Sequence, residues 1–223
     1  MQAGFPVMNA VTSRVYDHAE RSSDRWVHLV GLAFAAAAVP VLVVLSILWR
    51  GDLAGLLAVT VYGACFVAML TASLAYNHTE DPARVEPLRK YDLAAIYFKI
   101  AGTVTPFALF SGAGLGFLAV LWTVAILAAV TAFVGPRRSS LQSVVICLVM
   151  GWAVLFGGGE VLELLPDHVF WLMLAGGVLY SAGTPFLLAG RMRFHNTIWH
   201  VFVVAASILL FAAITAHLAA TRV

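Results

Sequence analysis

The sequence predicts an all-α protein, a bundle of seven transmembrane helices, and three observations carry that prediction. Of 223 residues, 62% are hydrophobic and 11% charged, with a mean hydropathy of +0.94, whereas a soluble domain is roughly half apolar and about a quarter charged. The apolar residues gather into seven runs whose lengths approach the roughly 20 residues needed to cross a bilayer. No run alternates as a strand would, and backbone exposed to lipid must satisfy its own hydrogen bonds, so every run is read as helical.

The runs follow in order. The first covers 26–49 and is closed by Arg50 and Asp52; the second covers 53–76. A polar segment over 77–91, holding His78, Glu80, Asp81, Arg84, Glu86, Arg89, Lys90 and two prolines, reads as an aqueous loop. The third run spans 92–110, with Asp92 at its start, and Ser111-Gly112-Ala113-Gly114 turns the chain into a fourth over 115–134. Gly135-Pro136 breaks that helix, and a short fifth run occupies 141–156, extendable through Gly157–Gly159. The acidic segment with Glu160, Glu163 and Asp167 precedes a sixth run over 169–189; Arg191 and Arg193 separate it from a seventh over 196–219. The domain reading is an N-terminal segment 1–25, a membrane domain 26–219 and a tail 220–223. Residues 1–25 carry seven charged or histidine residues from Arg14 to Arg25 and no continuous apolar stretch, so they do not read as a cleavable signal.

Orientation follows from counting Lys and Arg in the short connections. Ten lie on the N-terminal side (Arg14, Arg21, Arg25, Arg84, Arg89, Lys90, Arg137, Arg138, Arg191 and Arg193) and two, Arg50 and Arg222, on the other. The N-terminus is expected in the cytoplasm, the C-terminus outside, and the protein in the cell membrane as a multi-pass chain. A net charge of +2, with no stretch interleaving basic and aromatic residues, excludes nucleic acid as a partner. Cys65 and Cys147 both lie inside apolar runs and read as core residues.

Polar groups within spans mark function, because burying an ionisable side chain in lipid costs roughly 2.5 kcal/mol or more. Ser73 and Asn77 end the second helix, Asp92 begins the third, and Asn196 and His200 begin the seventh. Ser73/Asn77 and Asn196/His200 are each spaced i, i+4, so each pair projects from one face, and all five groups lie at the cytoplasmic end. His28, with Glu20 and Asp24 before it, sits at the same level. The structural alternative is that such residues merely cap helix ends, Asp92 as the N-cap of the third helix. Lys99 falls about 10 Å deeper than Asp92 at 1.5 Å per residue, where it either snorkels to the interface or pairs with Asp92. Gly112/Gly116 reads as a close-packing pair, and His168 and His217 as interfacial.

Four segments together resemble the hemolysin III branch of the progestin and adipoQ receptor (PAQR) superfamily, related to alkaline ceramidases: Glu20-Arg21 with Asp24 and His28-Leu29-Val30-Gly31; Ser73-Leu74-Ala75-Tyr76-Asn77; Tyr91-Asp92-Leu93-Ala94 continuing to Thr105-Pro106-Phe107; and Gly176-Gly177 to Thr184 followed by Asn196-Thr197-Ile198-Trp199-His200. The resemblance implies a seven-helix fold with a cytoplasmic N-terminus. In zinc-binding members it implies an ion held by three histidines, whose positions here are Asn77, Asn196 and His200, with Ser73 and Asp92 alongside. Two of the three are asparagine, and a neutral amide oxygen is a poor zinc ligand. The sequence therefore predicts no tightly bound zinc in the family manner and no other cofactor. His78 and His195 each stand one residue from a missing position, but one step turns a helical side chain by about 100°.

The functional expectation is a hemolysin III-type membrane protein acting in membrane homeostasis or as a lipid sensor, with a membrane lipid as ligand and a polar pocket formed around Ser73, Asp92 and His200. The alternative is a membrane-embedded hydrolase of lipid amides or esters, in which His200 or a metal activates water and Ser73 and Asp92 orient it. A proton relay through Asp92, Lys99 and His200 is disfavoured because few groups continue a path toward the outer face.

Overall fold

The computed structural model describes residues 16–222, so residues 1–15 of the N-terminal segment and Val223 of the tail lie outside the described residues. Eight helices follow one another: α1 (His18–Trp49), α2 (Leu53–His78), α3 (Pro82–Ser111), α4 (Leu115–Val134), α5 (Ser140–Gly157), the single turn α6 (Gly159–Leu162), α7 (Asp167–Leu188) and α8 (His195–Ala220). All but α6 are long and apolar enough to cross a bilayer, which gives the seven spans. Among the described residues there is no strand.

The helix starts are written in the sequence. Asp17 caps α1 in a reciprocal arrangement with Glu20, Asp52 caps α2, and Asp81 caps α3 with Pro82 in the first turn, where a missing N–H costs nothing. Ser139 and Gln142 form the same reciprocal cap on α5. Gly112 and Gly114 both take positive φ in the turn between α3 and α4, a conformation glycine reaches without steric penalty.

Several expectations are corrected. The segment 77–91 is not a loop: α2 continues through His78 and α3 begins at Pro82, leaving Thr79–Asp81 as the turn. Charged residues tolerate a helix that projects beyond the apolar layer, so polarity there marked exposure and not irregular backbone. Asp92 consequently lies in the interior of α3, and Asp81 performs the capping. At the other end of the chain, α1 starts at His18, two turns before the apolar run. Gly112 and Gly116 are not at a close contact, since a Cβ at either would meet nothing within 4 Å. The tight approaches are elsewhere: a Cβ at Gly102 would sit 2.9 Å from Cys65 Sγ, joining α3 to α2, and one at Gly183 2.7 Å from Phe202 Cβ, joining α7 to α8.

α3 runs through the centre of the bundle. It packs on α2 and α4, touches α5 and α8, and buries Tyr97, Ala101, Val104 and Phe107. α1 packs on α2 and α8, and α8 on α7. With lipid as the surrounding solvent these contacts are held by van der Waals packing of small and aromatic side chains. The outer surface exposes Leu48, Val134, Phe156 and Trp171, which face lipid. α5 makes few contacts, and α7 leans on α8 and α5 without packing on α3. The space left between α3 and α7 is the origin of the cavity below.

Candidate functional site

Three turns of α1 place Glu20, Asp24 and His28 at i, i+4 and i+8, and all three are buried at 4% exposure or less. This stripe faces the end of α2 and the start of α8. Glu20 fixes the geometry by accepting from the Phe194 N–H at 2.9 Å, while Arg193 pairs with Asp17 at 3.0 Å. The turn before α8 is thereby clamped to the start of α1. The Asp17 carboxyl is held below its usual range first by the Glu20 backbone N–H and then by Arg193.

Within the cluster, His200 Nδ1 lies 2.6 Å from Asp24 Oδ1 and its Nε2 lies 3.2 Å from Ser73 Oγ. Ser73 Oγ is also 3.1 Å from His28 Nε2, and His28 Nδ1 donates to the Asp24 carbonyl at 2.9 Å. The two imidazoles meet edge-on with centroids 4.2 Å apart. Counting protons is informative here. His28 must spend its Nδ1 proton on the carbonyl, His200 faces a carboxylate, and the serine can donate to only one ring. Satisfying every contact requires one proton beyond two neutral imidazoles and an ionised carboxylate, and the close His200–Asp24 contact is where it is shared.

The sequence-predicted residues converge, but on a different centre. Ser73, Asn77, Asp92, Asn196, His200 and His28 line one cavity. Asn77 donates to the Ser73 carbonyl at 2.9 Å and accepts from Asn196 at 2.9 Å. The two asparagines thus hydrogen-bond to each other and hold Ser73, a use that amides serve well and imidazoles would not. Asp92 presents a buried Oδ1 with no hydrogen-bond partner. Lys99 neither snorkels nor pairs with Asp92: its Nζ donates to Thr103 at 2.7 Å and lies 4.8 Å and 5.2 Å from the ring centroids of Tyr62 and Phe66, so the cation is satisfied by a hydroxyl and two π faces.

Two residues take larger parts than the sequence reading gave them. Asp24, expected only at the level of the polar set, is the hub of the network, and the i, i+4, i+8 spacing from Glu20 to His28 was the signal for that role. His78, the last residue of α2, brings Nε2 to 3.1 Å from Asp24 Oδ2. Its position follows from α1 packing on α2, which a one-residue shift around α2 can reach. His195 is committed elsewhere, to Tyr16 at 2.9 Å and the Phe186 carbonyl at 3.1 Å.

The cavity occupies 1610 Å³ and is walled by α3, α5, α7 and α8. Its depth is mostly apolar, with Ile100, Val104, Phe107, Leu155 and Met173 beside the Lys99–Thr103 pair, and its other end carries Ser73, Asn77, Asp92, Asn196 and His200 with Arg137, Arg138 and Arg191.

The family's zinc positions do not fit an ion, because the side-chain amides of Asn77 and Asn196 are paired with each other and only His200 offers an imidazole. A group that overlaps them at His200 is more compact: Asp24, His28 and His200 bring one potential ligand atom each within 4.8 Å of one another, all three residues being buried.

Seven apolar helices around a cavity that is polar at one end define a multi-pass membrane protein of the seven-helix class. Within that class, the family model described as haemolysin-III related matches residues 18–211, and the chain belongs to that family. It is 35% identical over 182 residues to hemolysin-3 of Bacillus cereus, covering 79% of this chain and 83% of the relative. It is 30% identical over 195 residues to a hemolysin-3 homolog of Bacillus subtilis (strain 168), covering 86% and 91% respectively.

Proposed function

We propose that this haemolysin-III related protein binds a membrane lipid in the cavity between α3 and α7, with the acyl chain in the apolar depth and the headgroup at the Ser73/Asp92/His200 end, and that it serves membrane homeostasis or lipid sensing in the cell membrane. The observation carrying this reading is the cavity's size and gradient. At 1610 Å³ it exceeds the roughly 300–1,000 Å³ of drug-sized ligand sites, and its charged lining residues other than Lys99 gather at one end, as an amphiphile requires. The excess of Lys and Arg at that end supports a cytoplasmic location for it; a cysteine at Ala83 should resist impermeant reagents added outside intact cells, and labelling there would reverse the orientation.

Lipid carried through purification and read by native mass spectrometry tests the binding. Gly151 lines the cavity, and a Cβ there meets nothing within 4 Å, so Gly151→Trp starts from open space and should place an indole in the cavity and abolish co-purified lipid. Equal lipid on wild type and variant would overturn the reading.

A second reading is favoured by one arrangement: the file from Asp24 through His200 to Ser73, in which a carboxylate orients an imidazole whose other nitrogen faces a hydroxyl. That geometry supports general-base chemistry on a lipid amide or ester, with His200 taking the proton of Ser73 or of a water beside it. Turnover of a lipid panel that disappears in Ser73→Ala and His200→Gln separates hydrolase from sensor.

A further inference from the structure

We infer that Lys99, held by Thr103, forms a second polar subsite part-way down the cavity, and that it selects acyl chains carrying an acceptor oxygen, hydroxyl or keto, in mid-chain. This inference rests on the lipid reading above and adds to it the chemistry of the chain.

The first support is place. Lys99 and Thr103 both line the cavity from α3. Lys99 lies two turns beyond Asp92, about 10 Å deeper at 1.5 Å per residue, beside Ile100 and Val104. An acyl chain running from the headgroup end into the depth must pass it.

The second support is unused donor capacity. The Lys99 side chain is buried at 3% exposure, and an ammonium has three donors. One goes to Thr103 at 2.7 Å, while the Thr103 hydroxyl spends its own proton on the Lys99 carbonyl at 2.7 Å. The threonine therefore fixes the amine and has no proton left for a ligand. The rings of Tyr62 and Phe66 lie 4.8 Å and 5.2 Å away on α2, and neither lines the cavity. The ammonium thus stands between the rings and the cavity, with donor capacity on the open side. Among the described residues no carboxylate pairs with it. Across the cavity on α7, Tyr180 has its hydroxyl paired with Ser207 at 2.6 Å.

The third support is energetic. Ring faces attract a cation without neutralising it, and an ammonium inside the apolar layer is costly without a partner. A saturated chain lying against Lys99 covers the remaining donor with methylenes and leaves it unpaired. A chain oxygen at that depth pairs it through a charge-assisted bond. Sites built to hydrogen-bond a ligand group reject the analogue lacking that group, because their own polar atoms are then left unpaired. Lys99 reads the chain, and the Ser73/Asp92/His200 end reads the headgroup.

The probes are monostearoylglycerol and the same molecule with one hydroxyl placed at successive carbons of the chain. Each is titrated into the full-length protein in detergent and read by native mass spectrometry. The headgroup is neutral and common to all, so only the chain oxygen differs. Wild type should bind one interior isomer about tenfold to a hundredfold more tightly than the unsubstituted chain, as expected of a hydrogen bond to a charged group. Lys99→Met keeps an unbranched side chain and removes the donor. It should bind the unsubstituted chain at least as tightly as wild type, which also reports an intact cavity, and should lose the positional preference. Lys99→Gln, which keeps an N–H donor without the charge, should retain a smaller preference. Hydroxylated chains bound no more tightly at any position, or a preference that survives Lys99→Met, overturn the subsite and leave the lipid reading standing. Failure of every monoacylglycerol to bind wild type overturns both.

Discussion

α8 carries a buried histidine at each end, and the two ends differ in what surrounds a nearly identical pair. At one end His200 Nε2 lies 3.2 Å from Ser73 Oγ; at the other His217 Nε2 lies 3.1 Å from Ser111 Oγ. His217, expected at the interface, is fully buried and rests against the rings of Phe107 and Phe110. No carboxylate engages it, the nearby Arg50 being occupied with Asp52 and the carbonyls of Phe110 and Thr221. His217 is absent from the cavity wall, whereas His200 has Asp24 on one nitrogen, a second imidazole beside it and the cavity in front. A histidine–serine hydrogen bond is therefore a packing device by itself. Adding a carboxylate, a second imidazole and an opening converts it into chemistry.

The comparison breaks most visibly at Asp24. Asp24→Ala removes the buried carboxylate that His200 and His78 engage, and losing one partner of a buried pair costs about 3–5 kcal/mol. The unfolding free energy in detergent should fall by that amount, and lipid binding should fall with it. An Asp24→Ala protein as stable as wild type would show that the cluster holds no charge pair.

His217→Ala sharpens the contrast from the other end. It should cost roughly 2 kcal/mol through lost ring packing and an unpaired Ser111, while leaving lipid occupancy unchanged. Loss of ligand binding in this variant, at wild-type stability, would make the two ends functionally equivalent and contradict the distinction drawn between them.

The smallest effect concerns the clamp at the start of α1. The folded-state value of the Asp17 carboxyl is lowered, so its contribution is complete above the ordinary carboxylate range and is lost as pH falls through the lowered value. Asp17→Asn keeps a capping side chain and removes the charge. Its Tm should lie a degree or two below wild type at pH 7, and the gap should close in acid. A gap that widens in acid reverses the sign and assigns the clamp to something other than the carboxylate.

The seven spans were legible because about 20 consecutive apolar residues admit only one structure in lipid, and the fourth helix matches its expected limits of 115–134. Helix ends were less legible, since polar residues such as Arg84 and Arg89 continue a helix into water as readily as they form a loop. Ser73, Asp92 and His200 could be placed at one level from topology alone, which counts helices and not angles. The angular information was missing: the packing of α1 between α2 and α8 decides that Asp24 is the hub, that His78 reaches it and that His195 turns away. Lys99 was misread because π faces and a threonine one turn along, which satisfy the ammonium, leave no pattern resembling an ion pair.

A structure of the protein determined in a lipid nanodisc tests the central claim most directly. The account predicts elongated density between α3 and α7, running past Val104 and Ile100 and ending in a headgroup within hydrogen-bonding distance of Ser73, Asp92 or His200. A cavity closed by α7 packing directly on α3, or one filled only with water along its whole length, would contradict it.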